Sequence, residues 1–360
     1  MKIFKVLTLS LLSSSFIFAT TTPNLIEKAK KNGLIPIPNN KTELYKIIDP
    51  KGVITPEKIE LGKKLFFDPR VSKSSLISCN FCHNLGLGGV DGVSKAIGHQ
   101  WTGNPMHLNS PTVYNAVFFK SQFWDGRSPD LEAQAQGPIQ AGPEMAAPKE
   151  LIEKRINSIP EYVAEFKKAY GKNIKIDFEK IASTIALFER ILVTPSPYDD
   201  FLNGKKDALN SEEKKGFNIF MSKGCATCHT GIALGGEMKP FELRNKYKHR
   251  DVGGFRGNGD QMIKVPTLRN ITQTAPYFHN GMVWSLKDAI KEMSHVQVGY
   301  KVIRPKEGEN ISINIMPIQL NDKEVNSLLT FFNTLEGRKP TIEYPQLPKS
   351  TDKTPKPDSK

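Results

Sequence analysis

The chain has 360 residues, 38% of them hydrophobic, and a formal net charge of +13. A chain of this length can bury a substantial core and is long enough for two domains. The positive charge could suit a nucleic acid, an anionic membrane surface or an acidic protein partner. No basic run is interleaved with aromatic residues as a nucleic-acid groove requires, and four cysteines are too few to staple so long a chain. The composition argues against a nucleic-acid-binding protein and against a disulfide-rich domain.

Residues 1–20 are predicted to be a secretory signal peptide. Lys2 and Lys5 precede an apolar run from Val6 to Ala19, and polar threonines follow it. The run is too short to span a bilayer comfortably, and no other segment has the character of a span. We therefore expect an exported protein without a stable membrane span, which is a second argument against a nucleic-acid partner.

Most of the recognisable elements are helices. Apolar residues recur at helical spacing from Phe178 to Leu192, which gives one apolar stripe. Helix starts are marked by a cap before proline or by capping boxes, at Thr55-Pro56, at Asn210 with Glu213, and at Asn321 with Glu324. Strand signals are short and scattered. The sequence therefore predicts a mainly α fold with long irregular connections.

Two Cys-x-x-Cys-His motifs, residues 79–83 and 225–229, use every cysteine in the chain. This motif attaches c-type haem: the two thiols bind the porphyrin vinyl groups, and the histidine coordinates the iron. A four-thiolate zinc site would bring its cysteine pairs within roughly 15 to 20 residues and would leave both histidines unexplained. A thioredoxin-like pair would need a parallel-sheet context that is absent here. The motifs predict two covalent haems, attached through Cys79, Cys82, Cys225 and Cys228, with His83 and His229 as iron ligands.

A weak internal repeat accompanies the motifs. Gly62 lies four residues before Phe66, ahead of the first motif, and Gly216 lies four residues before Phe220, ahead of the second. Two related haem domains in tandem would produce this pattern. We therefore expect two cytochrome c-like domains.

The proline-rich stretch 194–197 between the motifs predicts the domain boundary. The first domain would span residues 21–194 and the second 195–321. A C-terminal helix and the segment after it, residues 322–346, would pack back toward the first domain. Residues 347–360 are rich in Lys, Pro, Ser and Thr with little to bury, so we predict a disordered tail.

The sixth ligand of each iron decides its chemistry, and the residues alone leave it open. Met293 lies on a predicted helix with Leu286 and Ile290, a spacing that by itself favours a plain core methionine. Met282 and Met316 remain open as well. Five histidines lie outside the motifs: His99, His107, His249, His279 and His295. A thioether ligand would raise the haem potential, whereas two histidines or an open position would give a lower one.

Several runs of the chain resemble the bacterial di-haem cytochrome c peroxidases. They are Ile97-Gly98-His99-Gln100-Trp101, Asn109-Ser110-Pro111-Thr112-Val113, Gln122-Phe123-Trp124-Asp125-Gly126-Arg127, Glu144-Met145, Thr274-Ala275-Pro276-Tyr277-Phe278-His279, Lys291-Glu292-Met293 and Glu343-Tyr344-Pro345. The resemblance covers nearly the whole chain after the signal peptide. It implies an enzyme that reduces hydrogen peroxide to water with electrons from a small donor, a cytochrome c or a cupredoxin.

The resemblance also implies different roles for the two haems. His83 would hold the peroxidatic haem, with His99 as a removable sixth ligand in the resting state. His229 and Met293 would hold the electron-transfer haem. Reduction of this second haem would release His99 and open the peroxide site, so that a redox change moves a loop between two arrangements.

Glu144 and Gln134 match the distal catalytic residues of the family. Peroxide cleavage needs a group that moves a proton from one oxygen to the other, so that water leaves instead of hydroxide. A carboxylate can do this, and an amide beside it can position the peroxide. Trp124 matches an aromatic residue between the haems and would conduct electrons.

The family pattern further implies an interdomain calcium ion, which would be held by Asn109, Thr274 and Pro276 through oxygen atoms and water. A homodimer is expected because members of the family are commonly dimers. Since bacteria attach c-type haem outside the cytoplasm, the expected location is the periplasm.

One stretch departs from the family pattern. Residues 102–108 are two residues longer than the usual form and introduce Met106 and His107 close to the first haem. Either side chain could compete with His99 as the resting ligand, so this assignment stays open among the three.

Two other functions remain as alternatives. A related di-haem enzyme that oxidises residues of a partner protein has tyrosine in place of the distal methionine, so Met293 argues against it. A di-haem electron carrier without catalysis would have no use for Glu144 and Gln134.

Overall fold

The computed structural model describes residues 22–240, 247–255, 257–258, 262–296, 300–306, 309–315 and 318–358; the predicted signal peptide and Met316 lie outside this set. The described residues form twelve α-helices and two small antiparallel sheets, which confirms the mainly α fold. The helices are α1 (Thr22–Lys31), α2 (Lys41–Ile48), α3 (Pro56–Phe67), α4 (Cys79–Cys82), α5 (Leu131–Gln140), α6 (Lys149–Asn157), α7 (Pro160–Tyr170), α8 (Phe178–Arg190), α9 (Pro197–Leu202), α10 (Ser211–Ser222), α11 (Leu286–Val296) and α12 (Asp322–Asn333). No helix among the described residues is long and apolar enough to cross a membrane.

Each sheet has two strands. Strand β1 (Met238–Pro240) pairs with β2 (Met262–Lys264), with Met238 opposite Lys264. Strand β3 (Tyr300–Lys306) pairs with β4 (Glu309–Ile315), and Tyr300 lies opposite Ile315. Among the described residues, the long connections between the helices contain six single 3₁₀ turns and are otherwise mostly irregular.

The predicted helix starts are confirmed. Thr55 caps α3 with its hydroxyl. Asn210 and Asn321 each accept a hydrogen bond from the backbone of the glutamate three residues later, Glu213 or Glu324, whose carboxylate bonds back to the cap. These bonds satisfy backbone N–H groups that have no partner inside the helix.

The two haem units are built on the same kind of helix pair. Helix α3 crosses α8 at Gly62, where a side-chain Cβ would collide with the backbone carbonyl of Thr184. Helix α10 crosses α12 at Gly216, where a Cβ would collide with the carbonyl of Ser327. Since only glycine permits such close approach, the sequence repeat corresponds to a repeated packing contact.

Two hydrophobic cores follow this division. The first is built mainly from α3, α6, α7 and α8, and the second from α9, α10 and α12. Helix α1 belongs to the second core, because Leu25 and Ala29 are buried there. Helix α1, which was predicted to belong to the N-terminal domain, therefore packs with the C-terminal one.

The C-terminal part of the chain also differs from the prediction. Helix α12 packs on α10 inside the second unit instead of against the first, because its apolar face meets the Gly216 crossing. The following segment does reach the first unit: the Tyr344 ring lies 4.6 Å from that of Phe67. Residues 347–358, predicted to be disordered, run along the first unit, where the Arg155 guanidinium donates to the carbonyls of Pro355 and Lys356.

A buried junction joins the units at Thr194. The Thr194 hydroxyl accepts hydrogen bonds from the side-chain amides of Asn115 (2.8 Å) and Asn270 (2.9 Å). The Asn115 side-chain oxygen, Oδ1, accepts a hydrogen bond from the Thr194 backbone N–H. All three residues are fully buried. Both asparagines have a positive φ, a conformation that asparagine tolerates better than most residues. The junction therefore connects equivalent turns of the two units.

The Gly216 crossing gives a direct test of the packing. Gly216→Ala should lower the free energy of unfolding by about 1–3 kcal/mol, because the added methyl group must push α12 away from α10. Denaturant unfolding of the haem-loaded protein measures this change. Gly254→Ala is the matched control, since a Cβ there meets no atom within 4 Å. An equal effect of both substitutions would show that the crossing is not tight.

Candidate active site

The first motif is held as a short helix. In α4 the His83 backbone N–H bonds to the Cys79 carbonyl at 2.9 Å. The His83 Nδ1 lies 3.0 Å from the carbonyl oxygen of Pro111. Burial lowers the pKa of His83, which favours the neutral ring. A neutral imidazole that donates through Nδ1 presents Nε2 as a free metal ligand.

The second motif repeats this arrangement. The His229 Nδ1 lies 3.1 Å from the Leu234 carbonyl oxygen, and the Pro266 carbonyl also interacts with the ring. Burial lowers the pKa of His229 to about 4. Both motif histidines are therefore oriented by backbone carbonyls and kept neutral, as iron ligands must be.

The cysteines of the two motifs do not come together. Burial raises the pKa of all four thiols, to about 12 for Cys82 and about 11 for Cys225. In the described ranges no group of three or more His, Cys, Asp or Glu is placed to hold a metal ion. The two cysteine pairs therefore do not form the single four-thiolate site that structural zinc uses.

A cavity of about 230 Å³ opens beside the second motif. Its lining is almost entirely apolar and includes Cys225, Cys228 and His229. Met293 from α11 also lines it and is the methionine among the described lining residues. An apolar slot with an orienting histidine on one wall and a thioether nearby fits a haem group. Trp124, Lys239, Lys264 and His279 also line the cavity.

His99 and Glu144 lie on two loops that are held together. The His99 backbone N–H donates to the Glu144 carbonyl oxygen at 2.6 Å. A Cβ at Gly98 would collide with the carbonyls of Pro143 and Glu144, so glycine is needed for the loops to meet. The His99 ring is buried, and its Nδ1 has no hydrogen-bond partner among the described residues. The structure thus brings together two residues that are 45 positions apart in sequence.

The Glu144 carboxyl has an environment suited to holding a proton. Burial raises its pKa, and the positive charge of Arg127 partly offsets this rise. The charge of Glu144 contributes to the raised pKa of the Cys82 thiol, so the two groups lie close together. The Cys82 sulfur is 3.8 Å from the Ile97 carbonyl oxygen. The carboxyl therefore lies on the same side of the first unit as the haem-attachment motif.

Gln134 lies on α5, the helix that supports the Glu144 loop. Backbone bonds from Ala141, Met145 and Ala147 tie this loop to the C-terminal turns of α5. Gln134 and Pro138, whose carbonyl accepts from Met145, are one helical turn apart and share a face. The two predicted catalytic residues are thus carried by one helix and its tethered loop.

Trp124 lies buried at the contact between the units. Its indole N–H donates to the Asn109 carbonyl at 3.0 Å, and its ring centre is 6.4 Å from that of His279. The cavity beside the second motif reaches Trp124 and continues to Pro111, which orients His83. An aromatic ring therefore stands between the two predicted haem positions.

The predicted calcium ligands lie at this contact. The Asn109 side-chain amide donates to the Pro276 carbonyl at 2.7 Å, and the Asn109 backbone N–H donates to the His279 carbonyl, also at 2.7 Å. Thr274 lines the same cavity, two residues before Pro276. The three residues are brought together, with carbonyl and amide oxygens that are suitable for a hard cation.

Met106 and His107 belong to the 102–108 stretch. The chain passes so close to Gly253 that a Cβ there would collide with the Met106 carbonyl. Burial and the charge of Lys95 lower the pKa of His107, and its Nε2 has no hydrogen-bond partner among the described residues. Residues 102–108 therefore pack against residues 247–255. Of the three candidate resting ligands, His99, Met106 and His107, it is His99 that bonds to the Glu144 loop.

Sequence reasoning missed three contributors to the site. Gly98 allows the His99 and Glu144 loops to meet, Arg127 lies near the Glu144 carboxyl, and Lys264 lies in the wall of the cavity. Gly98 directly precedes the candidate ligand His99, and a glycine at such a position could have indicated a close approach of another segment. A single lysine or arginine, such as Lys264 or Arg127, gives no such signal.

Comparison with known proteins places these features in a family. The model of the di-haem cytochrome c peroxidase domain matches residues 56–207, and the cytochrome c model matches residues 213–336. Cytochrome c551 peroxidase of Pseudomonas aeruginosa is 44% identical over 89% of each chain. Cytochrome c551 peroxidase of Nitrosomonas europaea is 42% identical over 86% of this chain and 90% of its own. The crystal structure of a MauG-like protein associated with microbial copper homeostasis is 25% identical, with a TM-score of 0.65 over 79% of this chain and 90% of that one.

Glu189 on α8 gives a prediction about pH. Burial and the nearby charge of Glu132 raise its pKa to about 8, and its Oε2 has no hydrogen-bond partner among the described residues. Unfolding frees this acid to ionise above its ordinary pKa, so the free energy of unfolding should fall as the pH rises from about 4.5 to about 8. Glu189→Gln should remove this fall and add on the order of 3 kcal/mol at pH 7.

Urea unfolding of the haem-loaded protein at pH 5 and pH 8 measures this effect. Glu179→Gln on the same helix is the control, because Glu179 is exposed and pairs with Lys149. It should leave the pH dependence unchanged. If the wild-type protein and Glu189→Gln showed the same change in unfolding free energy between pH 5 and pH 8, the prediction would be contradicted.

Proposed function

The chain belongs to the family of bacterial di-haem cytochrome c peroxidases, and from this premise we propose that its two haem units divide one reaction between them. The enzyme is an oxidoreductase that carries c-type haems and reduces hydrogen peroxide to water with electrons from a cytochrome. The unit of His83 binds and cleaves peroxide. The unit of His229 and Met293 receives the electrons. The observation that supports this division is the backbone hydrogen bond that joins the His99 loop to the Glu144 loop in the first unit. Among the described residues, no such bond to a loop that carries an acid is found beside Met293 in the second unit.

The balance of the reaction defines what the protein must supply. Hydrogen peroxide takes up two electrons and two protons and gives two molecules of water. The haem held by His83 would supply the redox centre at which the O–O bond breaks. The side chains must therefore position the peroxide and move protons.

Glu144 is proposed to move the proton. Its raised pKa lets it take a proton from one peroxide oxygen and return it to the departing oxygen near neutral pH. Arg127 limits the rise of the pKa, so that the carboxyl can also release its proton. Gln134, on the helix that holds the Glu144 loop, would orient the peroxide through its amide.

His99 is proposed to control access to this site. In the resting state its ring would occupy the sixth position on the first haem. Its backbone is bonded to the Glu144 loop, so a release of the ring that moves the His99 backbone would either break that bond or carry the Glu144 loop with it. Opening the site and positioning the acid are thereby coupled.

The second unit is proposed to stay closed. Met293 lines the same cavity as His229, on a helix that is held by two further contacts. The Ser294 hydroxyl bonds to the Ile318 carbonyl, and Lys291 pairs with Asp322 at 2.7 Å. A thioether ligand on a fixed helix suits an electron-transfer haem of higher potential. Trp124, between the units, would conduct electrons to the first haem.

The alternatives are less well supported. A MauG-like enzyme would act on a partner protein, and the structural likeness to a MauG-like protein keeps that alternative open. The relatives at 42% and 44% identity are named as peroxidases, and Met293 takes the place where that other enzyme has tyrosine. A simple carrier would not need a half-buried carboxyl with a raised pKa beside the first motif.

The predicted signal peptide and the haem motifs support the proposed location of the enzyme. We place the enzyme in the periplasm, where it would take electrons from a small cytochrome c or cupredoxin and act as a homodimer. A calcium ion held by Asn109, Thr274 and Pro276 would tie the two units together.

Glu144→Gln tests the catalytic assignment. Removal of the proton-transfer group should slow peroxide reduction by about 10²–10⁴-fold, while the donor still reduces the second haem at the wild-type rate. Stopped-flow absorbance of the half-reduced enzyme separates the two steps. Glu150→Gln, an exposed acid on α6, should leave both rates unchanged. If the wild-type half-reduced enzyme does not oxidise a reduced cytochrome with peroxide, the peroxidase function itself is lost.

Met293→Leu tests the ligand of the second haem. Loss of the thioether should change the spectrum of this haem and shift its reduction equilibrium at least 100-fold toward the oxidised form, about 120 mV. Met221→Leu is the control, because Met221 is a buried core methionine of the same unit. An unchanged spectrum and potential in Met293→Leu would refute the ligand assignment.

A further inference from the structure

Lys264 is a buried lysine in the wall of the second haem cavity. It ends strand β2, is 4% exposed, and lines the cavity together with His229 and Met293. Its backbone N–H donates to the Trp124 carbonyl oxygen at 2.9 Å. The residue is therefore fixed both to the haem cavity and to the aromatic residue between the units.

The ammonium group of Lys264 lacks a countercharge of its own. It lies 4.6 Å from the centre of the Phe119 ring, and in the described part of the chain no carbonyl or carboxylate accepts a hydrogen bond from it. The charge of Asp125 favours the ammonium, but both Asp125 carboxylate oxygens already accept from Arg127, at 2.8 and 3.0 Å. Burial lowers the pKa of Lys264 to about 7. An ammonium group in an apolar environment without a carboxylate or carbonyl partner is destabilising.

Lys239 shows the contrast within the same cavity. It lies on the paired strand β1, beside Ile263 in the register, and also lines the cavity. Its side chain is 31% exposed and pairs with Glu237 at 3.3 Å. Of these two lysines, Lys264 is the buried one whose charge is left for a ligand in the cavity.

Haem brings the missing countercharge. Each haem carries two propionate carboxylates, and the lining of this cavity is almost entirely apolar. A carboxylate buried there needs a cation, and a cation buried there needs a carboxylate. The two requirements are met together when one propionate lies against Lys264.

We propose that Lys264 is the ionic partner of a propionate of the second haem, on the edge of that haem that faces Trp124. The inference rests on the proposed assignment of the second haem to His229 and Met293. Because the same residue holds the Trp124 carbonyl, Lys264 fixes the haem edge and the aromatic ring relative to each other. Its positive charge also favours the reduced form of the haem, so Lys264 helps to make this unit the electron acceptor.

Potentiometric titration of the haem-loaded enzyme tests the proposal. Lys264→Met removes the charge and keeps the length, and it should shift the reduction equilibrium of the second haem at least tenfold toward the oxidised form, about 59 mV for one electron. Lys264→Arg keeps the charge and should shift it less than threefold. Lys239→Met, the matched control in the same cavity, should also shift it less than threefold. The first haem should be unaffected.

Two outcomes of the titration would overturn the proposal. One is an unchanged second haem in Lys264→Met; the other is a shift confined to the first haem, which would assign the propionate to that haem. The wild-type spectrum of the second haem is a separate check, since absence of its methionine ligand would refute the proposed function and not the role of Lys264 alone.

A crystal structure of the wild-type haem-loaded enzyme provides a test that needs no variant. The Lys264 Nζ should lie within about 4 Å of a propionate oxygen of the second haem. A propionate that points to solvent, with Lys264 against Phe119 alone, would refute the proposal even if the substituted proteins failed to take up haem.

Discussion

The arrangement of the two haem units depends on the buried hydrogen bonds at Thr194. Asn115 and Asn270 both donate to its hydroxyl, and each asparagine lies four residues after a proline whose carbonyl contacts a motif histidine. These prolines are Pro111 and Pro266. One threonine therefore links the orienting groups of both irons. Since none of the three junction residues is exposed, loss of one partner would leave buried polar atoms unpaired.

The two units are alike around the motif histidines and differ around the predicted sixth ligands. Glycine crossings, proline carbonyls and asparagine turns repeat in both. The first unit has two irregular loops joined by the bond from His99 to Glu144, whereas in the second unit Met293 lies on helix α11, which is held at Lys291 and Ser294. A loop can change conformation at lower energy than a helix held in this way. The division of labour thus follows from which kind of backbone carries the sixth ligand.

Sequence patterns predicted the local features and failed where distant segments meet. The haem motifs and the caps at Asn210 and Asn321 are short-range signals, and the structure bears out both capping boxes. The apolar stripe of α12 predicted burial but could not identify α10 as the partner, because any apolar face would fit the same pattern. The burial of Lys264 could not be predicted for a similar reason. It depends on contacts with Phe119 and Trp124, which lie far away in sequence.

Arg155 connects the end of the chain to the beginning of the first haem unit. Its buried guanidinium donates to the carbonyls of Arg70, Ser72 and Lys73, just ahead of the first motif, and to two carbonyls of the C-terminal segment. Pro355 and Lys356 supply the last two acceptors. One side chain therefore holds the C-terminal segment against the backbone that leads into the first haem motif. The packing around this motif thus depends on residues that lie more than 250 positions away in sequence.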